Sequence, residues 1–147
     1  MFLFYCMITI LFPSPNFRIK EENNKEYIFD EVRKQWVRLT PEEWVRQNFI
    51  QYLIQTKKYP ASLLAVEKEI HAGELKRRCD IVVYNNNLPW MIIECKEMDV
   101  VLNDKVIEQV LNYNQHLQVH YLIITNGKKT FGLDTKNKIQ LTDLPNY

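Results

Sequence analysis

Arg77-Arg78-Cys79-Asp80-Ile81-Val82-Val83-Tyr84 and Trp90-Met91-Ile92-Ile93-Glu94-Cys95-Lys96 are two short apolar segments that carry charges where a core wants none. Burying an unpaired charge is costly, so a charge inside a strand pattern needs a partner, a metal or a chemical task. Asn85-Asn86-Asn87 and Pro89 lie between the segments and read as a turn: Asn tolerates left-handed backbone and Pro stops pairing. Side chains alternate along a strand, which groups Ile92, Glu94 and Lys96 on one face and sets Asp80 beside Val82 and Tyr84. An antiparallel pair joined at this turn brings Asp80 near Glu94. The unbroken apolar run before Glu94 places that acid at the mouth of a buried strand.

Two carboxylates at close range raise each other's pKa unless a cation neutralises them. Mg²⁺ suits such a pair, because it prefers hard oxygen ligands and takes one or two carboxylates plus waters and phosphate. The ion lowers the pKa of a bound water and polarises a phosphate. Lys96 is then placed to stabilise developing negative charge or to position the water. These residues are the equipment for breaking a phosphodiester bond. Taken alone, Asp80, Glu94 and Lys96 read equally well as an ion pair at a solvated strand end.

Working outward, Tyr27 to Leu39 has short apolar runs around a charged centre and reads as a hairpin or strand. Thr40-Pro41-Glu42-Glu43 is a helix start, with Thr as N-cap, Pro at the first helical position and Glu43 closing a capping box. The helix is expected to reach Thr56, with Val45, Phe49, Ile50, Tyr52 and Leu53 inward. On a wheel of about 100° per residue, Glu42 falls near the middle of that apolar face and Glu43 toward its edge. A helical turn is expected over Ser62 to Ala65, a strand over Ala65 to Ile70 and a turn at His71-Ala72-Gly73. Beyond the two charged segments, a second helix is expected from Asn103 to Leu117, with Val106, Ile107, Val110, Leu111 and Leu117 inward. Tyr121 to Thr125 reads as a buried strand, and Asn126-Gly127 as a tight turn into its partner, Thr130 to Leu133. Helix, three strands, helix and two strands describe an α/β fold with a mixed sheet flanked by helices.

A chain of 147 residues is expected to form one domain with a real core. Its 19 basic and 18 acidic residues nearly cancel, so there is no global basic signature of nucleic-acid binding. Local basic clusters stand at Lys57-Lys58, Lys76-Arg77-Arg78 and Lys128-Lys129; Arg77-Arg78 adjoins Asp80. Cys6, Cys79 and Cys95 have no metal spacing and read as reduced core thiols of a cytoplasmic protein. Cys95 is a poor nucleophile without a nearby His, and His71, His116 and His120 read as surface or structural residues. Met1 to Phe12 is almost wholly apolar, yet it lacks the basic start and small-residue cleavage site of a signal peptide and is too short to span a bilayer. It reads as an extra strand, a membrane-proximal segment or, preferred here, an upstream start outside the working protein, with Pro13 to Asn16 as a linker. The division expected is therefore residues 1–26, apolar segment and linker, and residues 27–147, the domain, with no membrane partner.

Asp80 followed by Glu94-x-Lys96 resembles the signature of the PD-(D/E)XK nuclease superfamily. Thr40-Pro41-Glu42-Glu43-Trp44-Val45-Arg46-Gln47, Ile92 to Lys96 and Thr125-Asn126-Gly127 resemble the N-terminal nuclease domain of type I restriction enzyme motor (R) subunits; the resemblance runs from Tyr27 to Leu133. It implies a restriction-endonuclease-like core and a Mg²⁺-dependent endonuclease, with Mn²⁺ as a substitute. It assigns the metal to Asp80, Glu94, the backbone carbonyl of Cys95 and an acid on the first helix, here Glu42. Lys96 assists attack. Gln109 and Tyr113 match the Gln-x-x-x-Tyr motif of the exonuclease-like branch, one turn apart on one helix face, where they would place DNA or the site's waters. Cys79 stands where the superfamily has its naming proline. Type I motor subunits continue into a helicase motor that this sequence does not contain. The expected partners are thus DNA and a separate motor, specificity or methyltransferase subunit, with a homodimer as one way to cut both strands. The other reading is a catalytically silent nucleic-acid-binding or assembly module on the same fold; RNA is not distinguished from DNA.

Overall fold

The computed structural model describes residues 7–147. A six-stranded mixed sheet, its strands adjacent in chain order, forms the centre, and a three-stranded antiparallel sheet of β1 (Ile19–Glu22), β2 (Lys25–Asp30) and β3 (Gln35–Arg38) stands beside it. The large sheet comprises β4 (Leu64–Ala72), β5 (Leu75–Asn85), β6 (Leu88–Cys95), β7 (Tyr121–Thr125), β8 (Thr130–Asp134) and β9 (Ile139–Gln140). All its pairings are antiparallel except β6 with β7, which are parallel and connected through helix α2 (Asp104–Asn114). Helix α1 (Pro41–Gln51) covers one face, where Val45, Phe49 and Ile50 pack with Ile81, Val83, Met91, Ile93 and Ile123. Helix α2 covers the other, where Ile107 and Val110 meet Ile124 and Phe131. The α/β sandwich expected from the sequence is the architecture found.

Local chemistry explains the elements. Thr40 keeps extended backbone while its Oγ1 accepts the Glu43 N–H at 3.0 Å, and Pro41 opens the helix. The capping box is only half formed, because the Glu43 carboxylate accepts from Arg33 and Gln47 instead. A π-helical turn, Tyr52–Thr56, carries the helix to its expected end. Asn86 and Asn87 adopt φ of 52° and 63°, the left-handed pair that a tight hairpin between β5 and β6 requires. β4 runs two residues past the expected Ile70, and the turn falls at Gly73 with φ of 63°. The 27–39 region is the expected hairpin, β2 (Lys25–Asp30) with β3 (Gln35–Arg38).

Two N-terminal readings need correction. Ile19–Glu22, assigned to the linker, is strand β1 and pairs with β2. Its four residues are mostly exposed on both faces, so they carry no apolar alternation to read. Residues 7–12, for which an upstream start stood ahead of an extra strand, reach the core through Ile8, Ile10 and Phe12. The Ile8 N–H donates to the Thr130 carbonyl at 2.9 Å, and Phe12 stands edge-on to Phe49 and Tyr52. Residues 1–6, including Cys6, lie outside the described residues. Among the described residues no helix is long and apolar enough to cross a membrane.

Candidate active site

The register pairs Ile81 with Ile93 and Val82 with Ile92, and one step further it sets Asp80 opposite Glu94. The Cys95 N–H donates to Asp80 Oδ2 at 2.7 Å. On the other side of β5, Val66 pairs with Ile81 and Lys68 with Cys79, which leaves Glu67 opposite Asp80. Glu67 has φ of 55°, left-handed backbone inside a strand. Both strands change phase there. Val66 and Ile81 lie in the cluster under α1, whereas Ile70 and Cys79 lie in the cluster on the opposite face. Asp80 consequently does not share the face of Val82 and Tyr84, as strict alternation would have it; its Oδ1 lies 3.5 Å from Arg46 Nη2 on α1.

Arg46 is the hub of the cluster. Its side chain, only 6% exposed, pairs with Glu67, with Glu42 at 3.3 Å and with Glu43 at 3.7 Å besides Asp80. Glu67 is shared with Arg78. Burial, with the two guanidinium contacts outweighing it, holds the Glu67 carboxyl below its ordinary value. Burial and the nearby charge of Asp80 push the Glu42 carboxyl up, against Arg46 and Lys96. Burial pushes Glu94 well above the usual carboxylate range, and Asp80 adds to it; Asp80 is also raised by burial, with the Cys95 N–H and Arg46 working the other way. Both carboxyls of this pair are therefore pushed upward, and they titrate as a unit. Glu94 Oε1 is buried without a hydrogen-bond partner. Burial pushes the Cys79 thiol up to about 12 and Cys95 well above its ordinary value, so neither is a nucleophile at neutral pH.

Lys96 is fixed by the strand beyond the acids. Its N–H donates to the Thr125 carbonyl at 2.8 Å, continuing the parallel pairing of β6 with β7, and its charge favours the ionised forms of Glu94 and Glu42. Asn126 braces the same end. Its Oδ1 accepts the Lys128 and Lys129 N–H groups, and its Nδ2 donates to the Val100 carbonyl in the loop after Lys96. Gly127, at φ of 86°, approaches Val45 of α1 so closely that a Cβ would lie 3.3 Å from its methyl. The same residues thus tie α1, β6 and the loop after Lys96 together.

Glu42, Asp80, Glu94 and Lys96 stand together at this end of the sheet. No hydrogen bond or ion pair among the described residues links Gln109 or Tyr113 to these four. Gln109 is exposed on α2. Tyr113 is 52% exposed; the Arg77 guanidinium lies 4.3 Å from its ring centroid and donates to its carbonyl at 2.9 Å. Arg46 and Glu67 escaped the sequence reading. The rule that selected Asp80, a charge inside an apolar pattern, applies equally to Arg46 between Val45 and Phe49. Nothing in the sequence marks Glu67, whose position comes from a left-handed backbone. Glu43 is more buried than Glu42, because the small sheet covers the helix where the apolar stripe does not.

The family described as type I restriction enzyme R protein N terminus matches residues 41–146, from the first residue of α1 past the end of β9. The chain belongs to this family. No curated protein matches it closely enough to count as a relative. The match covers α1, both acid-bearing strands, Lys96 and α2, and leaves β1, β2 and β3 outside. The family is the N-terminal region of a restriction enzyme subunit, and the chain is a nuclease-like domain of that kind. Among the described residues no three His, Cys, Asp or Glu side chains are gathered as a ready metal cage. The donors present still fit Mg²⁺, which needs only one or two carboxylates and completes its shell with water and phosphate. Glu94 Oε1, buried beside Asp80 without a hydrogen-bond partner, is a hard oxygen of the kind Mg²⁺ takes.

Proposed function

We propose that this domain is a Mg²⁺-dependent endonuclease that hydrolyses DNA phosphodiester bonds. The observation that carries the reading is the buried Asp80–Glu94 pair, with an unpartnered Glu94 oxygen, under the charge of Lys96. Asp80, Glu94 and the Cys95 carbonyl would hold the ion, with Glu42 as a further contact; Mn²⁺ would substitute. When bound, the ion supplies a Lewis acid toward the phosphate and makes a bound water acidic. Lys96 places a fixed positive charge where negative charge develops on the phosphate oxygens. Asp80, held by the Cys95 N–H, keeps one carboxylate oxygen oriented into the site. Arg46 neutralises the acid cluster while it waits for substrate. Gln109 and Tyr113 sit on the exposed side of α2, available to DNA that approaches from that helix. Its partners in the cytoplasm would be DNA and a separate motor, specificity or methyltransferase subunit, and a homodimer would cut both strands.

A second reading is favoured by Arg46 itself. A guanidinium already paired with Asp80 and Glu42 does the neutralising work of a cation, as expected of a silent binding or assembly module. Incubation of supercoiled plasmid with Mg²⁺ or Mn²⁺, beside an EDTA control and the Asp80→Ala and Lys96→Ala proteins, separates the two. Metal-dependent nicking that both variants lack supports the nuclease. Cleavage retained in both variants refutes the site assignment, and no cleavage by folded protein supports the silent module.

A further inference from the structure

The sheet outside the family match carries a patterned surface of its own. Direct cross-strand neighbours point to the same face, so the pairings Lys20 with Tyr27, Tyr27 with Arg38 and Phe29 with Trp36 line one side of β1-β2-β3. Arg18 joins them, since its carbonyl accepts the Phe29 N–H at 2.9 Å. The opposite side holds Ile28 and Asp30, both fully buried, which anchor the sheet to α1. Three half-buried rings, Tyr27, Phe29 and Trp36, are thereby interleaved with three cations on the side that faces outward. The Arg18 guanidinium lies 4.5 Å from the Phe29 centroid and 5.4 Å from that of Trp36; Lys20 Nζ lies 4.6 Å from Trp36. Phe29 and Trp36 meet edge to face at 5.4 Å.

Lys20 with Glu22 is the one ion pair on this face among the described residues; Arg18 and Arg38 form none. Their charges rest only on ring faces, a weak tether at exposed sites, and are readily redirected to phosphate. A small cavity opens beside Phe29, lined by Glu31, the Asn16 amide and the Gln51 and Gln55 amides, of which Gln55 donates to Gln51 at 2.7 Å. We infer that this face binds single-stranded nucleic acid, with bases stacking on Phe29, Trp36 and Tyr27 and phosphates on Arg18, Lys20 and Arg38. Aromatic rings on an open antiparallel sheet hold two or three unstacked bases, and basic side chains between them follow the backbone. The amides beside Phe29 are donors and acceptors for a base edge. The inference does not rest on cleavage by the acid site.

The test is fluorescence anisotropy with the whole chain in EDTA, using short labelled oligo(dT), oligo(U) and a duplex of the same length, across a salt series. Binding of the single strands above the duplex is expected, and the tighter of oligo(dT) and oligo(U) names the natural strand. Trp36→Leu should weaken it about tenfold or more, and Trp36→Phe should largely restore it. Arg18→Gln and Arg38→Gln, both at exposed positions, should each lower the salt slope by about 0.7. Binding measured in EDTA needs no metal-dependent step, so a failure of the nuclease reading leaves this result standing. Equal binding of the duplex, an unaltered salt slope in the arginine variants, or undiminished binding by Trp36→Leu would overturn the inference.

Discussion

Replacing Arg46 by Met removes one charge on which four carboxylates depend. Methionine keeps an unbranched apolar stem, so the packing is largely preserved and the loss is electrostatic. The four partners do not count equally. The Glu42 side chain is 47% exposed and Glu67 27%, so water screens both and their share is small. Glu43 keeps Arg33 at 3.0 Å. Asp80, 15% exposed, loses the one guanidinium paired with it among the described residues. Removing one partner of a buried pair costs about 3–5 kcal/mol, and the part-exposure of Asp80 argues for the lower end, about 3 kcal/mol. For a domain of this size that is a fall in Tm of roughly 6–12 °C. Urea titrations of both proteins at neutral pH, compared at equal slope, measure it. A loss below about 1 kcal/mol would refute the reasoning, since it would mean that Asp80 needs no counter-charge and that Arg46 is not the cluster's neutralising group.

Asp30, fully buried, accepts from the Val32 and Arg33 backbone, the Arg33 guanidinium and Gln47; burial opposes ionisation, but these bonds hold its carboxyl below the ordinary value. A depressed folded pKa adds stability above the unfolded value of about 3.9 and loses it as the pH falls through the folded one, so the roughly 3 kcal/mol cost of Asp30→Asn should be full near neutrality and shrink below about pH 4 in chemical melts. Gly127→Ala should cost about 1–3 kcal/mol, because its φ of 86° and the 3.3 Å approach to Val45 both penalise a Cβ; calorimetry gives the figure, and a neutral result would show that the turn relaxes freely. Cys79 and Cys95, buried and with thiol pKa values pushed upward, should resist iodoacetamide at mildly alkaline pH until the chain unfolds, as read by mass spectrometry; rapid native labelling would contradict the packing.

The sequence was legible where one signal acted alone. The hairpin of β5 and β6 follows from two apolar runs around three asparagines, and Thr40-Pro41 opens α1 by cap chemistry. It was opaque where tertiary context decided. β1 is polar on both sides and exists because β2 pairs with it. Glu43 looked like a cap on the wheel's edge, but it became an ion-pair partner of Arg33 once a second sheet covered that edge. Asp80 was placed by alternation on the face of Val82, and the left-handed Glu67 opposite it broke the alternation. Asp80, Glu94 and Lys96 could be found because each interrupts an apolar run. Arg46, which binds their neighbourhood together, falls under the same rule, but Gln47 and Asn48 beside it blur the apolar pattern, and its burial is what reveals its role.

The left-handed Glu67 has an effect at the rim of the molecule as well. β4 is the outermost strand of the large sheet, and an open strand of nine residues would be a template for another chain to extend. The kink divides it into two short stretches facing opposite ways, and the second carries the exposed Lys68, Glu69 and His71. A passing strand finds no run long enough to pair with, so the residue that turns a carboxylate toward Arg46 also helps keep the protein from stacking into fibrils.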